Sequence, residues 1–200
     1  MLTYGHNADT AIFVLHEIYG INSHIRKVCE ALFQDGFDIL VPDLLNGKTP
    51  FAYAEAGMAY SYFCEQIGFD RAFSQVSELL ALARPHYRQT YVLGYSIGAT
   101  VAWRCSETGL CDGIIGFYGS RIRDYLALEP QCPGLLLFPA QEKSFPVEAL
   151  MVRLQHFEQI RVLQLAGQHG FADSFAATYN KQSAEQAWLA VKSFIKADTA

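Results

Sequence analysis

The stretch YVLGYSIGATVAW, residues 91–103, places Ser96 between two glycines, with an apolar run before it and small residues after it. The apolar run predicts a buried β-strand, and the small residues predict a helix that packs closely on a sheet. Residues 94–98 match G-x-S-x-G, which at a strand-to-helix junction forms a sharp turn that projects the serine hydroxyl out of the fold. Side chains at the glycine positions, Gly94 and Gly98, would collide with the neighbouring strand and helix. The motif therefore favours a nucleophilic Ser96 over an idle serine in a packing turn.

Strands and helices alternate on both sides of this junction. The apolar runs predict strands at residues 11–16, 37–44, 90–94, 113–119, 134–140 and 160–166. Amphipathic periods predict helices at residues 23–35, 70–84, 97–108 and 147–158, and a last helix that starts at a capping box, residues 183–186. Residues 46–68 show no clear period and are interpreted as a loop or small lid. The alternation predicts one α/β domain over residues 1–200, a three-layer sandwich with a mostly parallel central sheet and helices on both faces.

Composition restricts the class of protein. A chain of 200 residues with 51% apolar content suits one globular domain, and a net charge of −5 without basic clusters argues against a nucleic-acid partner. No apolar stretch reaches the roughly 18 residues of a membrane span, and the start of the chain lacks the order of a signal peptide. Five cysteines without a CxxC spacing favour neither a disulfide framework nor a zinc site. We expect a cytoplasmic monomer without cofactor or metal.

A serine hydroxyl needs a base to take its proton, and His169 is the best candidate among six histidines. It lies in AGQHGFAD directly after the last predicted strand, at the same carboxyl edge of the sheet as Ser96, where α/β proteins bind ligands. His16 ends an apolar strand and is interpreted as a packed, hydrogen-bonded histidine. His24, His86 and His156 fall on or beside helices, where a solvated or capping role is the prediction.

Several blocks together resemble the dienelactone hydrolase family of the α/β-hydrolase fold. The similarity runs from about residue 11 to 195: LHEIYGINSHIRKVCEALFQDGFDILVPDLL resembles its opening strand, loop and helix, GYSIGA its nucleophile turn, and GQHGFADSFAATYN its histidine loop. The resemblance implies Ser96 as nucleophile, His169 as general base, and the backbone N–H groups of Ile18 and Ile97 as the oxyanion hole. It also implies that Glu17 lies close to the nucleophile. The HEIYG block is no zinc motif, because HExxH would need a histidine where Gly20 stands.

The third triad member is the hardest to assign. The fold orders its triad as serine, acid, histidine, and the family usually has an aspartate in the loop that follows the strand at 134–140. Glu142 is the sole carboxylate in that loop and is the predicted acid. A site without an acid, or one in which Glu17 or a water substitutes, is the alternative. Other acidic residues fit less well, because they precede that strand, belong to the next helix or lie in the histidine loop: Glu129, Glu148, Glu158 and Asp173.

Two departures from the family leave the substrate open. The name-giving members use cysteine where this chain has Ser96, and no arginine here matches the family's carboxylate-binding positions. We therefore expect hydrolysis of a small ester or lactone, with Tyr19, Tyr118 and Phe145 lining a compact pocket that prefers short acyl groups. A thioesterase or acyl transferase on the same triad is one alternative. A non-catalytic member that binds a small ligand is the other.

Overall fold

The computed structural model describes residues 1–197, which form a seven-stranded sheet flanked by six α-helices. The strands are β1 (Leu2–Tyr4), β2 (Thr10–Leu15), β3 (Asp38–Val41), β4 (Gln89–Tyr95), β5 (Gly113–Phe117), β6 (Gly134–Gln141) and β7 (Ile160–Gln168). The helices are α1 (Ser23–Gln34), α2 (Ala56–Tyr62), α3 (Gly68–Ala83), α4 (Ile97–Cys105), α5 (Val147–Leu154) and α6 (Lys181–Ala197). None of these helices is both long enough and apolar enough to cross a membrane.

The predicted α/β three-layer sandwich is confirmed. The strand order is β1-β3-β2-β4-β5-β6-β7, and every neighbouring pair is parallel except β1 with β3. Two apolar clusters cover the faces of the sheet. One contains the buried side of α1 and α6, and the other contains that of α3, α4 and α5. Strands β2, β4 and β5 are buried along their whole length or nearly so, which explains their continuous apolar runs.

The strand order reverses direction between β2 and β4. The chain first builds from β2 outward to β3, and then returns to add β4 on the other side of β2. Leu15 pairs with Gly94, so the carboxyl ends of the two strands lie side by side. Loops that leave such neighbouring ends in opposite directions open a crevice, which is where parallel sheets bind ligands.

Residues 46–68, interpreted as a loop or small lid, form helical turns where an irregular loop was one of the two expectations. They contain a 3₁₀ turn at Tyr53–Glu55, helix α2 and a π-helical turn at Phe63–Ile67 that leads into α3. Phe63 is fully buried, whereas Met58 and Tyr60 are exposed. Because a short helix that contacts the core through few side chains has no regular apolar stripe, its sequence carried no clear period.

Two helix starts and one strand also differ from the predictions. Asp70 lies in the first turn of α3, which begins at Gly68, and binds Arg104 instead of capping its own helix. Helix α6 begins two residues before the predicted capping box, because Asn180 accepts a hydrogen bond from Ser183 N and the Ser183 hydroxyl donates to Ala166 O. Strand β1 was missed, since three edge residues are too short a segment to show alternation.

Candidate active site

Ser96 occupies a strained turn between β4 and α4. Its backbone has φ 52° and ψ −110°, a conformation that residues other than glycine rarely adopt. A Cβ atom on Gly94 would lie 2.2 Å from Gly98 O, and one on Gly98 would lie 2.4 Å from Leu15 O. The predicted reason for the two glycines is confirmed: the turn packs α4 directly against β4 and β2, where no side chain fits.

The structure brings the three predicted triad side chains together. Ser96 Oγ lies 3.0 Å from His169 Nε2, and His169 Nδ1 lies 2.8 Å from Glu142 Oε2. The sheet produces this arrangement, since Gln141 at the end of β6 pairs with Gln168 at the end of β7. Glu142 and His169 are the next residues of the two strands. An acid and a base on neighbouring strand ends can therefore meet beside a serine that follows β4.

The surroundings of Glu142 keep its carboxyl ionised. Its side chain is 5% exposed, against 37% for His169. Burial by itself would raise the pKa of Glu142, but the hydrogen bond and charge of His169, together with hydrogen bonds from Ser144 N and Oγ, lower that pKa to about 2. An ionised Glu142 accepts the Nδ1 proton of His169, so that Nε2 is left free to accept the proton of Ser96.

The two backbone N–H groups predicted to form an oxyanion hole belong to Ile97, the residue after Ser96, and to Ile18, in the turn after β2. Ile97 is the first residue of α4. The N–H groups in the first turn of a helix have no helical carbonyl one turn earlier to accept their hydrogen bonds. Ile18 lies in the turn after β2, which Gly20 N closes by donating to Glu17 O. Within residues 1–197, neither N–H donates a hydrogen bond to another protein group.

His16 holds the turn that carries Ile18. The ring is fully buried; its Nδ1 donates to Glu17 O at 2.6 Å, and its Nε2 accepts a hydrogen bond from Leu44 N at 2.9 Å. Both ring nitrogens are thus used by backbone groups, which confirms the interpretation of His16 as a packed, hydrogen-bonded histidine. The consequence for the site is a fixed position for the residues that follow β2.

Glu17 is a buried carboxyl group close to His169. It is 6% exposed, and its Oε1 accepts a hydrogen bond from the Tyr118 hydroxyl at 2.9 Å. Burial raises its pKa to about 7, although the nearby charge of His169 and the Tyr118 hydrogen bond act in the opposite direction. The Tyr118 ring lies 4.8 Å from the His169 ring, and Tyr118 has a φ of 43°. Tyr118 therefore contacts the site through Glu17 and His169, from a fully buried position.

The remaining predicted pocket residues, Tyr19 and Phe145, lie in the loops that follow β2 and β6. Tyr19 is half-buried in the turn after β2, with its ring 4.8 Å from that of Tyr53. Phe145 follows the Glu142 loop and lies under the guanidinium group of Arg123, 5.1 Å from the ring centroid. Both side chains pack against the apolar cluster on the α4 face.

Sequence reasoning missed a link between the 46–68 segment and the histidine loop. The Tyr53 hydroxyl donates to Asp173 Oδ2 at 2.5 Å, across 120 residues of sequence, and also accepts a hydrogen bond from Asn22 Nδ2 at 3.3 Å. Asp173 is 1% exposed and also accepts from Phe175 N at 2.8 Å. The signal was an aspartate four residues after His169, in a segment otherwise rich in small and aromatic residues.

His24 is a correction to the sequence interpretation. It was predicted to be solvated or to cap a helix, but it is 3% exposed and packs edge-on against the Tyr95 ring at 4.8 Å. The prediction was wrong because α1 turns this side of its first turn toward the sheet. In the part of the chain that the structure describes, no three His, Cys, Asp or Glu side chains meet as a metal site would require.

Comparison with known sequences gives the family. The model of the dienelactone hydrolase family matches residues 2–198. The Bacillus subtilis protein YczH is 34% identical over 172 residues, which cover 85% of this chain and 84% of YczH. Carboxymethylenebutenolidase 1 of Cupriavidus pinatubonensis is 26% identical over 184 residues, covering 85% of this chain and 78% of that protein.

Solved structures agree on the fold. A dienelactone hydrolase-like promiscuous phosphotriesterase from metagenomic libraries has 19% identity and a TM-score of 0.74, covering 94% of this chain and 85% of that one. An esterase from Thermogutta terrifontis has 13% identity and a TM-score of 0.65, covering 97% and 87%. With the sheet order, the serine turn and the family match together, the chain belongs to the dienelactone hydrolase family of α/β hydrolases.

Proposed function

We propose that this hydrolase cleaves a small carboxylic ester or lactone through an acyl-enzyme on Ser96. The observation that carries the proposal is the continuous hydrogen-bonded chain from Ser96 Oγ through His169 to Glu142, at 3.0 and 2.8 Å. That arrangement is the nucleophile, base and orienting acid of a serine triad. The family membership and the relatives named carboxymethylenebutenolidase, 26% identical or less, support ester or lactone chemistry.

The first half-reaction acylates the serine. His169 Nε2 takes the Ser96 proton while Oγ forms a bond to the carbonyl carbon, and the carbonyl oxygen becomes an oxyanion facing the N–H groups of Ile18 and Ile97. Each such donor contributes about 3 kcal/mol to a transition state of this kind. The intermediate collapses when the bond to the leaving oxygen breaks, and that oxygen takes the proton from His169. With a lactone, the alcohol stays attached to the acyl group.

The second half-reaction releases the acid. A water gives its proton to His169 Nε2 and attacks the acyl carbon; the bond to Ser96 Oγ then breaks, and Oγ takes the proton back. During both steps the imidazolium lies between Ser96 and an ionised Glu142. A carboxylate with a pKa of about 2 stays charged at neutral pH, so it stabilises the imidazolium each time it forms.

Glu17 contributes a second titrating carboxyl group to the proposed site. With a pKa of about 7, the carboxyl changes from neutral to charged near neutral pH. The neutral form adds no negative charge beside an oxyanion, whereas the charged form would oppose it. We therefore assign Glu17 to the substrate wall, where its neutral state favours the tetrahedral intermediate.

The test combines covalent labelling with a substrate panel. A fluorophosphonate ester should modify Ser96 and abolish turnover, and peptide mass mapping should place the label on residues 91–104. Ser96→Ala should lose both labelling and activity, whereas Ser61→Ala, at an exposed position on α2, should keep both. Labelling of another residue, or activity in Ser96→Ala, would refute the assignment.

The same panel separates the alternatives. Short aryl esters, lactones and thioesters are offered to the purified protein, with and without an added alcohol or thiol acceptor. Fast turnover of thioesters, or transfer to the acceptor in preference to water, would indicate a thioesterase or acyl transferase. A protein that reacts with none of them, or once only, would be a non-catalytic member that binds a small ligand.

A further inference from the structure

A cleft of about 520 Å³ lies between α1 and α6, on the sheet face opposite α4. Its walls are mostly apolar and include Val28, Phe117, Trp188 and Leu189, and the charged residues Lys27 and Glu185 also line it. The three residues of the proposed triad do not line it. Its volume falls within the range of small-molecule binding sites, and such sites combine apolar walls with a few placed polar groups.

His24 provides one of those polar groups. It lines the cleft from α1, is 3% exposed, and its Nε2 has no hydrogen-bond partner within residues 1–197. Buried polar atoms in folded proteins are nearly always paired, because an unpaired one loses its hydration without compensation. His24 lines the cleft but its Nε2 is covered by neighbouring side chains, so a ligand that displaces this cover can supply the missing partner.

The neighbour of the other ring nitrogen decides which partner Nε2 needs. His24 Nδ1 lies 3.6 Å from Asp173 Oδ1, so the carboxylate favours a proton on Nδ1. Burial lowers the pKa of His24 and keeps the ring neutral. A neutral ring with its proton on Nδ1 presents Nε2 as an acceptor, which requires a donor on the ligand.

We propose that this cleft binds a small aromatic alcohol, with its ring against Trp188 and its hydroxyl donating to His24 Nε2. Aromatic walls favour a flat ring, since ring pairs add to the free energy of burial. Lys27 Nζ already donates to Ser174 Oγ at 3.1 Å, and a carboxylate ligand has no proton to donate to Nε2. This site stands independently of the proposed ester or lactone chemistry.

The two tryptophans make the test local. Trp188 lines the cleft, whereas Trp103 lies in the cluster on the opposite face, where its Nε1–H donates to Tyr125 O. In a ¹H–¹⁵N spectrum of the whole protein, p-cresol should shift the Trp188 indole signal saturably and leave that of Trp103 unmoved. The probe 4-methylanisole has the same ring but no donor, and should bind about tenfold more weakly.

Variants test the hydrogen bond to His24 and the volume of the cleft separately. His24→Phe should reduce the preference for p-cresol over 4-methylanisole from about tenfold to none. Ala184→Phe fills the cleft from α6 and should abolish binding of both probes, whereas Gln186→Phe, at an exposed position on the same helix outside the lining, should leave it unchanged. If His24→Phe does not fold, the probe pair and the Ala184→Phe variant still decide. Equal affinities for the two probes, or no shift of Trp188, would overturn the proposal.

Discussion

Replacing Glu17 with glutamine should stabilise the protein above neutral pH. The carboxyl is 6% exposed and accepts the Tyr118 hydroxyl at 2.9 Å, a hydrogen bond that the glutamine oxygen can also accept. Burial raises its pKa from the ordinary value of 4.5 to about 7. The folded state thus holds this proton more tightly than the unfolded state does, and it is the charged form that the fold disfavours.

The size of the effect follows from the two pKa values. Below about pH 4.5 the group is protonated in both states and costs nothing. As the pH rises toward 7, the unfolded state releases its proton first, so the free energy of unfolding falls by about 1.4 kcal/mol for each pH unit. The loss is complete above the folded pKa and amounts to about 3 kcal/mol. Glu17→Gln removes this loss, so the variant should be more stable than the wild type by that amount.

Urea denaturation of both proteins from pH 5 to pH 9 measures the difference. Because all other titrating groups are shared, subtracting the two free energies of unfolding isolates position 17. The difference should be small at pH 5 and reach its plateau near pH 8. Glu148→Gln, at an exposed position on α5, is the matched control and should follow the wild-type curve. A difference between Glu17→Gln and wild type that does not change with pH would refute the reasoning.

Three further predictions concern the site and its frame. Glu142→Gln should keep the fold and lower kcat about a thousandfold or more, because an amide favours the wrong tautomer of His169, whereas Glu129→Gln should match wild type in the same steady-state assay. His169→Ala should lose most of the rate, because the base that lies 3.0 Å from Ser96 Oγ is then absent; a variant that retains a tenth of the rate would point to another base. Gly98→Ala places a Cβ 2.4 Å from Leu15 O, so soluble, cooperatively melting protein should be lost, whereas Gly57→Ala, in open space within α2, should melt cooperatively at or slightly above the wild-type temperature.

The long apolar runs predicted the central strands of the sheet. Runs such as residues 11–16 and 113–119 are buried on both faces, and continuous burial leaves a continuous apolar sequence. The helical structure of segment 46–68 was not predicted, for the opposite reason. Its helix α2 places one buried residue, Ala59, toward the core, so its helical structure depends on contacts that the local sequence does not encode.

The residues of the candidate site also differ in how far the local sequence predicted them. Ser96 and His169 were predictable because a glycine-framed turn and a loop directly after a strand leave local marks. The placement of Glu142 beside His169 depends on the register of β6 with β7, and that of Tyr53 beside Asp173 on a contact across 120 residues. Pairings of this kind are properties of the assembled sheet. The burial of His24 is another, since it follows from the angle at which α1 lies on the strands.

The order in which the site is assembled along the chain makes catalysis a reporter of folding. Ser96 follows β4 and donates its backbone N–H to Phe117 O of β5, and Gly98 of the same turn packs on Leu15 of β2, whereas His169 lies 73 residues later in the chain. A parallel strand can pair with its neighbour only after a long crossover has closed, and such steps are slow. Turnover requires β7 to be paired with β6 as well as α4 to be packed, so during refolding its return should not precede the return of the near-ultraviolet signal of Trp103, which lies in α4. Activity then reports the docking of β7 onto the rest of the sheet.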